Sequence, residues 1–483
     1  MKMMSKLGPP LRQLRRAFSS STAFTSSSSS SSSSPAFFSP RVERISVPAR
    51  SNGSFTIDAT PITLRRDDQT TQPSSANRHP WCIRTVNLSP SLACIFHPTK
   101  PAAPVILYLP SGPVIPDYHD EELRILTTLA RASEAAIVRV NYRASSAHPY
   151  PTPIHDTTLA YDWIKENLVQ HAPTASTMGV CGELVGASLA VTLGLTECHH
   201  HRHHRIAAVS VNNPIVDWVF PHDLPVVPVS ELPEPLAPEE TAFPVEEDPM
   251  SIASEAHLAK PSKRAAKSPP KTTWQLHADN PTIPTVTLLA ERDVLFRKPE
   301  HYFDRFASPI HMFRSPHGTL VYPNQNDDSF ASQEPQAPID LQTQMDISHY
   351  EALDATPPPP LEPPMLIRCR AYARFYPPAG VHLDLPAWHV AAGMESPLLD
   401  QASELSKLLR RSVARAALKS TTGRARWFDD TEKARYKALA NDRVQLDTLS
   451  GIGLWTEQGP GSTWESNVTD VGLWMKEQLM PKF

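Results

Sequence analysis

The chain has 483 residues, 40% of them apolar, with a net charge of −4 and a pI near 6.6. That length can bury one large core or two ordinary ones, and that charge excludes a basic nucleic-acid-binding chain. No apolar run reaches the ~18 residues of a membrane-spanning helix, and fifty-one prolines against sixteen glycines mean that much of the length is extended or irregular.

Residues 1–42 contain no Asp or Glu, while Lys2, Lys6, Arg12, Arg15 and Arg16 supply positive charge. Leu7, Leu11, Leu14 and Phe18 recur at helical spacing ahead of a serine run from Ser26 to Ser34. This is the composition of an organelle transit peptide, and Arg16-Ala17-Phe18-Ser19 resembles a mitochondrial processing site. A disordered basic tail has the same composition; without import the location is cytoplasmic. The cysteines at 82, 94, 181, 198 and 369 show no paired spacing, so reduced thiols are expected.

Next come short alternating stretches, Ile45 to Val47, Ser54 to Ile57 and Leu92 to Phe96, which read as antiparallel strands. From Pro104 the pattern becomes strand then helix. Strands are predicted at Val105 to Leu109, Ala136 to Val140, Met178 to Cys181 and Ile206 to Val211. Helices are predicted at Glu121 to Ser133, Ile154 to Gln170 and from the elbow below to about Glu197. Such alternation argues for an α/β fold with a central, mostly parallel sheet flanked by helices. Later elements are a strand at Trp388 to Ala392, a helix at Leu399 to Arg411, a strand at Val444 to Leu449 and a helix near Val468 to Leu479. The chain therefore divides into a leader (1–42), the first part of the domain (43–220), a disordered Pro- and charge-rich insertion (221–281), a lid or cap segment (282–323), a second Pro-rich insertion (324–364) and the last part of the domain (365–483).

The stretch carrying most information is Gly182-Glu183-Leu184-Val185-Gly186. It follows an apolar strand and opens a small-residue helix, the pattern of a nucleophile elbow, in which glycines permit a sharp bend and close packing. An enzyme places Ser, Cys or Asp at the apex. Leu184 has no lone pair and no acidic proton, so it cannot attack a carbonyl.

Val140-Asn141-Tyr142-Arg143, His148-Pro149-Tyr150-Pro151 and the following helix with Asp156, Ala160, Tyr161 and Trp163 resemble a block of the hormone-sensitive-lipase-like (fold-3) esterases. Asn213-Pro214 with Asp217-Trp218, and Ala307-Ser308-Pro309, are similar to further elements of that family. The resemblance implies the α/β-hydrolase fold with Pro-rich insertions, a serine–histidine–acid triad and an oxyanion loop. Here that loop reads Pro110-Ser111-Gly112-Pro113. The N–H groups of Ser111, Gly112 and Val185 remain for a partial hole, although Pro113 removes one donor.

Two segments compete for the acid. Thr285 to Leu289 with Asp293 looks like strand-then-acid, with His317-Gly318 as the histidine loop. Alternatively, Trp388 to Gly393 and Ser396-Pro397-Leu398 match the acid strand with Ser396 in the aspartate's place, and Ser450 to Trp455 is the histidine loop without a histidine. The second alignment is favoured and leaves all three positions vacant. Ser188 lies one turn beyond Leu184, where packing is the preferred role. Glu183 is a buried or rim acid without a partner.

Cys198 is followed by His199, His200, His201, His203 and His204 around Arg202. This chelates metals adventitiously, but a low-complexity loop is the better reading, so no metal and no cofactor are expected. Lys260 to Lys271 reads as a solvated basic linker. The expectation is a pseudo-hydrolase of carboxylic-ester hydrolase ancestry that binds a small acyl- or ester-like ligand or a protein in the old acyl pocket. The alternative is an active esterase with a non-standard nucleophile, for which Ser188 is a candidate, and with Asp293 and His317 as its partners. A scaffold engaging SH3- or WW-type partners through its proline tracts rests on composition alone.

Overall fold

The structure is a computed structural model. It describes strands at 41–44, 81–88 and 91–98 and then 104–480, apart from 114–118, 167–177, 200–204, most of 225–270, 322–363 and short breaks at 379–380, 382, 425–426 and 460. The leader, the stretches 45–47 and 54–57, most of the histidine tract, the basic linker and the second Pro-rich insertion lie outside the described residues.

Among the described residues, nine strands form one sheet. They are β1 (Arg41–Arg44), β2 (Trp81–Leu88), β3 (Ser91–Pro98), β4 (Val105–Leu109), β5 (Ala136–Arg139), β6 (Met178–Glu183), β7 (Ile206–Asn212), β8 (Ala387–Gly393) and β9 (Val444–Leu449). The spatial order is β1-β2-β3-β5-β4-β6-β7-β8-β9. The six strands from β5 to β9 in that order run parallel, while β3 is antiparallel to both β2 and β5. β2 has no counterpart in the sequence prediction.

Side-chain alternation explains why the sheet is covered on both faces. On β4, Ile106 and Tyr108 join one buried cluster, and Val105, Leu107 and Leu109 join the other. The first face is covered by α1 (His119–Ser133) and α7 (Trp464–Leu479), whose Ile125, Leu129, Val471 and Met475 pack there. The second is covered by α2 (Thr152–Ile164), α3 (Leu184–Thr196) and α5 (Leu399–Thr422). α3 is buried along nearly its whole length, which suits a helix that is apolar all round.

Thr285 to Leu289 is not a strand. It begins α4 (Thr285–Leu295), whose buried positions Thr285, Leu288, Glu291 and Leu295 follow helical spacing. The β-branched start suggested a strand, but tertiary packing of Leu288 and Leu295 onto the core overrides that preference. A further helix that sequence reasoning missed, α6 (Asp430–Arg443), buries only Tyr436 and Ala440. Its signal was local: Asp429 accepts the Glu432 N–H at 2.6 Å, a capped start followed by an acid.

After β4 the chain passes to β5 on one side, and after α2 it returns to β6 on the other. The order therefore reverses between β4 and β6, and open parallel sheets place ligands at such a switch point, beyond the C-terminal strand ends.

Candidate active site

At that end of the sheet the 110–113 loop and the elbow meet. Leu184 sits at the apex with φ of +51°, a conformation that costs a branched residue of order 1 kcal/mol or more and persists only where packing enforces it. Close packing does so here. A Cβ on Gly186 would lie 2.1 Å from the Pro110 carbonyl oxygen, and one on Gly182 would lie 2.6 Å from the Gly186 backbone. The Leu184 side chain is fully buried in the main core cluster. It packs rather than presenting itself to solvent.

The 110–113 loop closes on the elbow. The Val185 N–H donates to the Ser111 carbonyl at 3.3 Å, so one of the donors predicted for an oxyanion hole is already engaged by the loop itself. Gly112 has φ of +85°, and the Tyr142 hydroxyl donates to the Pro110 carbonyl at 2.7 Å. Arg143 grips Asp156 with two side-chain bonds of 2.8 and 2.7 Å, and its backbone N–H adds a third at 2.9 Å. The Tyr142-Arg143 block is thus a brace joining the oxyanion loop to α2.

The loops after β8 and β9 meet beside the elbow. Met394 and Glu395 donate backbone N–H groups to Leu449 and Gly451, both at 2.8 Å. Ser396 is fully buried, and its hydroxyl accepts the Leu398 N–H at 3.2 Å, capping the turn into α5. Ile452, Leu454 and Trp455 of the following loop are buried.

Glu183 turns out to anchor that loop. It is fully buried and accepts from the Trp455 N–H at 2.6 Å, the Asn212 amide at 2.9 Å and the Thr456 hydroxyl at 3.1 Å. Burial pushes its carboxyl up to about 7, against the pull of these hydrogen bonds. Asn212 and Asn213 extend the clamp to the carbonyls of Gly453 and Ile452, at 2.8 and 3.1 Å. The elbow, Ser396 and the 450–456 loop are therefore one hydrogen-bonded unit. Asn212 was not singled out from sequence, because its partners lie far along the chain.

The other candidates fall elsewhere. Ser188 is buried, and its hydroxyl donates to the Ala307 carbonyl at 3.4 Å. Asp293 is on α4 rather than after a strand, with its side chain 69% exposed beside Arg292. His317 lies near Arg314, whose charge, with burial, pushes the imidazole down to about 4; Glu404 and Asp217 act on it from the same cluster. Asp293 and His317 thus belong to different surroundings, and the strand-then-acid geometry proposed for Asp293 does not form.

A serine–histidine–aspartate chain does exist in the sheet. Ser210 Oγ is 3.1 Å from His389 Nδ1, and His389 Nε2 is 2.9 Å from Asp447 Oδ2. With Asp447 ionised, Nε2–H donates to it and Nδ1 accepts the serine proton. Yet Ser210 is fully buried in mid-strand, with neighbours paired to strands on both sides. It has neither access to substrate nor free N–H groups to hold an oxyanion. The chain is a cross-strand support.

Glu291 was also missed. It occupies the apolar stripe of α4, 7% exposed, and its Oε1 is buried without a hydrogen-bond partner. Burial pushes its carboxyl up to about 7 from 4.5. The folded state thus holds a proton across that window which the unfolded chain releases, so ionisation weakens the fold as pH rises through it. Glu291→Gln is expected to match the wild type near pH 4 and to exceed it by roughly 1–2 kcal/mol at pH 8, after allowance for partial solvent screening. Urea unfolding at the two pH values checks this; parallel behaviour of both proteins would contradict it.

An α/β-hydrolase-fold family model matches residues 107–312. Esterase LipI of Mycobacterium tuberculosis is 31% identical over 99 residues, 20% of this chain and 30% of that protein. Carboxylesterase NlhH of the same organism is 31% identical over 77 residues, 16% of this chain and 23% of that protein. The chain thus spans less than a third of the length of these curated relatives. Among solved structures, carboxyl esterase 2 of the mycorrhizal fungus Tuber melanosporum gives a TM-score of 0.45 at 13% identity, covering 85% of this chain and 90% of that one. A hyperthermophilic esterase of the archaeon Pyrobaculum calidifontis gives 0.44 at 14% identity, covering 83% and 84%.

Proposed function

We propose that this chain, which belongs to the hormone-sensitive-lipase-like α/β-hydrolase superfamily, is a non-catalytic member that uses the fold for binding. The observation that carries the reading is Leu184, buried at the apex of an intact elbow. Three further features support it. The Val185 N–H is engaged by Ser111; Ser396 caps a turn in the acid's place; and Ile452, Leu454 and Trp455 fill the loop where the family carries its histidine. Without nucleophile and base, the acyl-transfer route has no first step. What remains is a braced set of strand-end loops at the switch point that takes an acyl- or ester-like ligand or a protein segment without turning it over.

Removing the nucleophile from a serine hydrolase costs ~10⁶ in kcat. The purified chain is accordingly expected to show no covalent labelling by a fluorophosphonate probe and no hydrolysis of p-nitrophenyl butyrate above the spontaneous rate. Leu184→Ser alone should stay inactive, because no histidine occupies the 450–456 loop beside the elbow. Wild-type labelling that disappears in Ser188→Ala would replace this reading with that of an esterase using a displaced nucleophile.

A further inference from the structure

We propose that the cleft between α5 and α6 binds a phosphate group, held by Arg410 and Arg411 of α5, Lys433 and Lys437 of α6, and the indole of Trp427. The cleft is a shallow recess open to solvent, so one oxyanion group sits at its mouth while the rest of its carrier stays outside.

Helix geometry assembles the site. Arg410 and Ala414 are one turn apart on α5, and Lys433, Lys437 and Ala440 follow one face of α6. The two alanines leave the space; the four cations rim it. Among the described residues no carboxylate lines the cleft. Residues 399–443 hold eleven Lys and Arg against six Asp and Glu in a chain whose net charge is −4.

Two groups are positioned for a ligand. The Arg410 Nε–H donates to the Val444 carbonyl at 3.0 Å, which fixes one edge of its guanidinium. Trp427 stacks on Tyr436 with ring centroids 5.6 Å apart, and its buried indole N–H has no hydrogen-bond partner. A buried donor left without an acceptor costs about 1–3 kcal/mol. A phosphate oxygen supplies that acceptor. A dianion suits the site better than a carboxylate because arginine forks and lysine point charges both favour phosphate.

The test uses the full chain at physiological ionic strength, where unspecific surface attraction is screened. Equilibrium dialysis is run with radiolabelled inorganic phosphate and with sn-glycerol 3-phosphate. Sedimentation is run with vesicles of phosphatidylcholine, with and without phosphatidic acid. Saturable one-site binding in a phosphate-bearing arm is expected. Lys433→Gln/Lys437→Gln should weaken it at least tenfold, and Trp427→Phe a few-fold, with unchanged melting curves. Binding only to phosphatidic acid vesicles, lost in the double variant, supports the site and identifies its phosphate as a lipid headgroup. Absence of saturable binding at millimolar concentration in every arm overturns the proposal, as does binding that the double variant leaves unchanged.

Discussion

Gly186→Ala is expected to abolish stable folding or to lower Tm by about 8–20 °C. The added Cβ would stand 2.1 Å from the Pro110 oxygen, 2.2 Å from the Leu109 oxygen and 2.7 Å from the Leu109 carbonyl carbon. All three are backbone atoms at the end of β4, so no rotamer change relieves the clash. The start of α3 must move away from the sheet instead, and α3 is buried along nearly its whole length. Ordinary overpacking costs about 1–3 kcal/mol; displacing a central helix exceeds that, at about 4–5 kcal/mol. At about 2–4 °C per kcal/mol, the shift is about 8–20 °C. Gly423→Ala is the control. It has φ of +70° but nothing within 4 Å of the new atom, so only the backbone term of about 1–2 kcal/mol applies. Similar melting of the two variants would show that the elbow is looser than described.

Arg314→Met is expected to cost about 3–5 kcal/mol at pH 7.5. Arg314 is 2% exposed and bridges two carboxylates, with Asp217 at 2.9 Å and Glu404 at 2.7 Å. Burial by itself would push the Asp217 carboxyl up, but His311 and Arg314 outweigh it and hold the group below its ordinary value. His311, fully buried and 3.7 Å from Asp217, is pushed down by burial to about 4 and is neutral at pH 7.5. It therefore cannot replace the lost cation. In the wild type the depressed carboxylates add stability above their unfolded pKa, which is lost as pH falls through the folded value. In the variant they face burial without a counter-charge, so the deficit is largest at neutral pH and shrinks as acid neutralises them. Urea unfolding at pH 7.5 and 4.5 should show the gap narrowing. A gap that stays constant would mean that lost packing, not the stranded charge, sets the cost.

Both changes act where tertiary contacts converge, and both sites were only partly legible in the sequence. Gly182 and Gly186 could be read as a bend because their spacing is local. The Leu109 and Pro110 backbone that makes Gly186 irreplaceable lies more than seventy residues away. Glu183 looked like an acid without a partner, yet its partners Trp455 and Thr456 lie 272 and 273 residues on. Asp293 looked like an acid after a strand because Thr285 to Leu289 is rich in β-branched and apolar residues. The packing of Leu288 and Leu295 made that segment helical and turned Asp293 to solvent.

By itself the sequence determined the alternation of strands and helices, the two-faced sheet and the elbow with leucine at its apex. Each depends on a period of 2 or 3.6, or on glycine spacing, which residue order carries directly. Only the tertiary structure decided which segments follow β8 and β9 beside the elbow, that Ser111 engages the Val185 N–H, and that α5 and α6 bring their cations to one cleft. Those outcomes depend on groups far apart in the chain meeting across a packed core, where burial and pairing, not local propensity, set the energy.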